Sequence, residues 1–68
     1  MNLATLLSVI DYEEQINIID YVDRNTIYKG MKYYTDKHTP FDADVFGVYT
    51  KGGYLTIEVR WYPSKYDN

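Results

Sequence analysis

The chain has 68 residues, 46% of them hydrophobic and 25% charged, with a net charge of -3. That length and balance suit one small folded domain, residues 1–68 with a polar tail at 65–68, rather than a disordered chain. Cysteine is absent and His38 is the single histidine. Disulfide staples, thiolate metal sites, thiol nucleophiles and a multi-histidine metal site within one chain are thereby excluded.

In chain order, Leu3, Leu6, Leu7 and Ile10 fall at i, i+3, i+4 and i+7, the stripe of a helix of about nine residues. Asn2 is its N-cap candidate. So short a helix cannot stand alone and must dock on a sheet. Gln15–Tyr21 reads as a strand with Ile16 and Ile18 on one face and Asn17, Ile19 and Tyr21 on the other. Asp23-Arg24-Asn25 has turn chemistry, and Thr26–Gly30 completes a first antiparallel hairpin. Residues 31–44 read as the longest connection, a loop, with Thr39 held extended before Pro40.

The clearest pattern is Val45–Thr50 and Tyr54–Trp61 around Gly52-Gly53, a two-residue hairpin signal. Alternation predicts the register. Thr50 faces Leu55, Val48 faces Ile57 and Phe46 faces Val59 on an apolar face. Lys51 faces Tyr54, Tyr49 faces Thr56, Gly47 faces Glu58 and Val45 faces Arg60 on a mixed one. A one-residue slip would set apolar side chains against polar ones. Pro63 should end the strand. The expected fold class is therefore α+β, a short N-terminal helix packed on an antiparallel sheet of about four strands in two hairpins. The expected core is Leu3, Leu6, Leu7, Ile10, Ile16, Ile18, Phe46, Val48, Leu55, Ile57, Val59 and Trp61.

Catalytic patterns are missing. His38, near Asp36, Asp42 and Asp44, has no metal-loop spacing. Ser8 and Ser64 lack a neighbouring base, and Gly52-Gly53 lacks the helix and Lys-Ser/Thr that cradle phosphates. Neither a catalytic role nor a cofactor or metal is expected. No apolar run reaches the ~18 residues of a membrane span, and no basic segment precedes an apolar one, so a cytoplasmic protein is expected.

Charge and aromatics carry the functional signal. Residues 1–23 hold Asp11, Glu13, Glu14, Asp20 and Asp23 and no base, whereas residues 24–37 hold Arg24, Lys29, Lys32 and Lys37 against Asp36. Nine tyrosines bring the aromatic content to 18%. A domain this small cannot bury them all, and surface tyrosines are enriched at interfaces. One reading is a protein-binding module whose acidic side chains occupy a groove built for phosphates, through Asp11, Tyr12, Glu13, Glu14, Asp20, Tyr21 and Asp23. The alternative is a single-stranded nucleic-acid binder. There Tyr28, Tyr33, Tyr34 and Tyr54 stack bases while Lys29, Lys32, Lys37 and Lys51 meet phosphates, the segment Tyr28, Lys29, Lys32, Tyr33, Tyr34 and Lys37 carrying the pattern. A third is a homodimeric accessory protein joined through strand edges or tyrosines.

The order M-N-L-A-T-L-L-S-V-I-D, I-N-I-I-D, T-I-Y-K-G and V-F-G-V-Y-T-K-G-G-Y-L-T-I-E-V-R resembles a family of small uncharacterised proteins of Firmicutes and their phages and mobile elements. The resemblance spans the chain except residues 31–44 and the tail. It implies a phage or mobile-element context, in which small acidic proteins act by binding a host protein, as anti-CRISPR inhibitors do. It implies no catalytic residues.

Overall fold

Asn2 caps helix α1 (Leu3–Leu7), its Oδ1 accepting the Thr5 backbone N–H and the Thr5 hydroxyl, each at 2.9 Å. The computed structural model describes residues 1–35 and 38–60. The helix is shorter than the leucine spacing predicts. The Ser8 hydroxyl donates to the Thr5 carbonyl at 2.6 Å, and the next N–H groups, of Val9 and Ile10, reach back only three residues, to Leu6 and Leu7. The last turn thus tightens and stops. Leu3 and Leu7 are buried, with Leu6 and Ile10 half-buried beside them.

Strands β1 (Gln15–Asp20), β2 (Thr26–Met31), β3 (Asp44–Lys51) and β4 (Tyr54–Arg60) form one sheet in the order β2-β1-β4-β3. Both expected hairpins are present. The expectation of a wholly antiparallel sheet needs correction, because β1 and β4 pair in parallel, Ile16 beside Leu55 through Asp20 beside Val59. The cause lies in the connection. Met31 ends β2 beside Gln15 at one end of β1, whereas Asp44 starts β3 beside Arg60 at the other. Between the end of β2 and the start of β3 the chain therefore passes from one end of the sheet to the other, and β4 returns in the direction of β1. This stretch is not plain loop. It opens with a 3-10 turn, Lys32–Tyr34, and buries Thr39 and Ala43.

Each hairpin places its more apolar strand inside. Ile16, Ile18, Ile57 and Val59 on one sheet face pack with Leu3, Leu7 and Ala43. Burial of such side chains contributes about 1.5–3 kcal/mol each. Gly52 (φ 60) and Gly53 (φ 83) form the expected left-handed turn. The register predicted from Lys51–Tyr54 to Gly47–Glu58 is observed. Beyond it the prediction fails: Val45, not Phe46, pairs with Val59, and Asp44, not Val45, pairs with Arg60. Phe46 is the extra residue of a β-bulge, which shifts the alternation by one. Val45 accordingly turns toward the core, while Phe46 and Val48 remain 49% and 45% exposed. Ala43 takes a core place the sequence did not suggest. Expected core residue Trp61, the end expected at Pro63 and the tail at 65–68 lie outside the described residues.

Residues 1–3 extend the sheet. The Leu3 N–H donates to the Ala43 carbonyl and the Val45 N–H to the Met1 carbonyl, both at 2.9 Å, so the chain start covers one end of the β3 edge.

Candidate functional site

The segment before β1 and the segment after β2 continue the hairpin ladder. The Lys32 N–H donates to the Glu14 carbonyl and the Tyr33 N–H to the Tyr12 carbonyl, both at 2.8 Å. Tyr12 and Tyr33, distant in sequence, therefore meet edge to face with ring centroids 5.9 Å apart, and Tyr34 meets Tyr33 at 5.1 Å. All three rings are open to solvent, at 65%, 63% and 67%. The Lys32 ammonium lies 4.3 Å from the centre of the Tyr12 ring and donates to the Ile10 carbonyl at 2.8 Å. It closes one side of a groove of about 430 Å³ lined by Ser8, Val9, Ile10, Asp11, Tyr12 and Lys32. Asp11, Glu13 and Glu14 are exposed beside it. An aromatic cluster rimmed by carboxylates suits an arginine-bearing surface, since guanidinium both stacks on rings and pairs with carboxylates.

The acidic block of residues 11–23 is not one surface. Its first four members, Asp11, Tyr12, Glu13 and Glu14, lie together before β1. Asp20, Tyr21 and Asp23 follow the far end of that six-residue strand, roughly 20 Å away at about 3.3 Å per residue. Asp20, expected on the partner-binding surface, is only 2% exposed. Its Oδ1 accepts the N–H groups of Val22 at 2.8 Å and Asp23 at 3.4 Å, holding the turn in which Arg24 takes φ 66. Its role here is structural. Tyr21 packs on Phe46 with centroids 4.8 Å apart, and Asp23 is exposed.

The segment expected to bind single strands is likewise divided. Tyr28 is half-buried on the core side, its hydroxyl donating to the Met31 carbonyl across Gly30. Lys29 lies on the opposite sheet face, its ammonium 4.7 Å from the centre of the Tyr54 ring. Lys32, Tyr33 and Tyr34 belong to the cluster described above, and Lys37 lies outside the described residues. Residues 28–37 therefore present no continuous aromatic and basic strip among the described residues. Sequence reasoning also missed the Tyr12–Lys32 contact, which only the continuation of the ladder creates.

Arg24 and Glu58 form a salt bridge at 2.9 Å, with the Tyr49 hydroxyl donating to the same Glu58 oxygen at 2.8 Å. The hydroxyl first and the guanidinium second hold the Glu58 carboxyl below its ordinary range, and Glu58 and Tyr49 in turn raise Arg24. Among the described residues no three His, Cys, Asp or Glu side chains gather as a metal site, and no helix is long and apolar enough to cross a membrane. Comparison with protein-family models, curated proteins and solved structures finds no match.

Proposed function

We propose that this chain is a non-enzymatic protein-binding module, which in the phage or mobile-element setting its sequence resembles would inhibit a host defence or nucleic-acid-processing protein. The observation that supports it best is the exposed Tyr12–Tyr33–Tyr34 cluster beside Asp11, Glu13 and Glu14. Tyrosine rings held against one another lose little further freedom on binding, and aromatic side chains dominate interface energetics. The carboxylates steer a basic partner surface toward them. The interface is thus narrower than residues 11–23: it takes in Asp11, Tyr12, Glu13 and Glu14, gains Tyr33 and Tyr34, and leaves Asp20 to the fold.

The test is retention of a host protein on the tagged chain, compared with a Tyr33→Ser/Tyr34→Ser variant. Both side chains are exposed, so the variant should melt like the parent. Partner affinity should fall about tenfold or more, the effect of about 1.4 kcal/mol. Equal retention by parent and variant would refute this interface.

A further inference from the structure

Among the described residues no helix covers the sheet face opposite α1, and its chemistry is unlike the rest of the chain. The pairings place Asn17 from β1, Lys29 from β2, Tyr49 and Lys51 from β3, and Tyr54 and Thr56 from β4 on it together. With Arg24 bound to Glu58, the basic side chains here among the described residues are Arg24, Lys29, Lys51 and Arg60, against Asp44 and Glu58. A chain of net charge -3 has therefore placed a net positive patch on its uncovered sheet.

At the centre of this face Asn17 and Thr56 sit side by side on β1 and β4. Asn17 Oδ1 and Thr56 Oγ1 are shut off from solvent, and neither meets a hydrogen-bonding partner among the described residues. Leaving such groups unsatisfied is costly, and native sheets rarely do so without a reason. Lys29 stands on β2 opposite Asn17, and its ammonium rests on the Tyr54 ring of β4, two strands away. The lysine stem therefore spans β1 on this face. Tyr49, paired with Thr56, stands on the other side, its hydroxyl tied to Glu58.

We infer that this open sheet face binds single-stranded nucleic acid, with Lys29 as a strap that a phosphate draws aside. Moving the ammonium from the ring to a phosphate frees Tyr54 to stack on a base. The same movement uncovers Asn17 and Thr56, whose polar atoms then meet base edges. Lys51, opposite Tyr54 on the edge strand, continues the phosphate track. Stacking platforms on a basic sheet are the general solution for single strands. A duplex, with its bases enclosed, offers the phosphates but not the stacking. This inference does not depend on the tyrosine cluster at the other surface.

The experiment is fluorescence anisotropy with labelled oligothymidylate and oligouridylate of about ten nucleotides, within the usual site size of single-strand binders, and a duplex of equal length. Binding of a single strand in preference to the duplex, strengthening at low salt, is expected. Tyr54→Phe should retain binding, and Tyr54→Leu should lose about tenfold or more while keeping apolar cover over Thr56. Lys29→Gln should lower the salt slope by about 0.7. Amide shifts of Asn17 and Thr56 on titration should locate the strand on this face. Equal affinity for duplex and single strand, no binding at about 50 mM salt, or indifference to Tyr54→Leu in a folded variant would overturn the inference. So would loss of binding in Tyr33→Ser/Tyr34→Ser with Tyr54→Leu unaffected.

Discussion

Asp20 Oδ1 accepts the backbone N–H of Val22 at 2.8 Å, from a side chain almost wholly inside the protein. A carboxylate so placed holds the β1–β2 turn rather than meeting a partner. Asp20→Ala should cost about 1.5–3 kcal/mol, the usual scale for a hydrogen bond to a charged group. Asp20→Asn, which keeps the oxygen, should lose less. Urea denaturation midpoints measure both. If Asp20→Ala were as stable as the parent, the cap would be incidental.

Leu7→Ala and Ile57→Ala should each cost about 2–5 kcal/mol, because both side chains lie in the one cluster between helix and sheet. Phe46→Ala and Val48→Ala should each cost under about 1 kcal/mol, since both remain largely open to solvent. The contrast between the two pairs in thermal or urea melts tests the bulge: a large loss at Phe46 would restore the unbulged register.

Replacing both Gly52 and Gly53 by valine should destabilise the second hairpin, since both positions have left-handed φ values that β-branched residues resist. Gly52→Asn should be tolerated, because asparagine accepts the left-handed region and nothing lies within 4 Å of where its Cβ would stand. A melt of the double-valine variant matching the parent would refute the turn geometry.

Glu58 makes stability depend on pH at the acid end. Its folded carboxyl titrates below the ordinary value of 4.5, so its stabilisation is complete above that pH and fades as pH falls through the lowered folded value. Glu58→Gln should therefore melt below the parent near neutrality, and the gap should close in acid. A gap that stayed constant to strongly acid pH would show that the Tyr49 and Arg24 contacts do not depend on the charge.

Local signals carry the reading as far as local physics reaches. The Gly52-Gly53 turn and strict alternation specify the pairs from Lys51–Tyr54 to Gly47–Glu58, each of which is observed. At Phe46 alternation stops being informative, because one extra residue in a strand changes the parity and no residue type marks it. The parallel neighbours β1 and β4 are joined across the chain by the path of residues 32–43, which neither strand's composition reveals. The proposed interfaces show the same divide. The tyrosine surplus and the charge blocks are visible in sequence. Which tyrosine meets which charge is decided by the ladder that brings Tyr12 to Tyr33 and by the register that sets Lys29 beside Asn17. Asp20 reads as a partner-binding residue because a carboxylate that caps a turn and one that faces solvent look alike in a string of letters.

The parallel seam between β1 and β4 also governs how the molecule is assembled. It joins residues about forty positions apart, and it brings the buried isoleucines of the two hairpins together. Either hairpin alone is a two-stranded ribbon with an apolar face in water, which is marginal at best. Loop-closure entropy must be met before the seam contributes anything, so contacts across the seam should be among those that control the folding rate. Substitutions along Ile16, Ile18 and Ile57 should slow folding, whereas those at the Gly52-Gly53 tip should alter how readily each encounter succeeds.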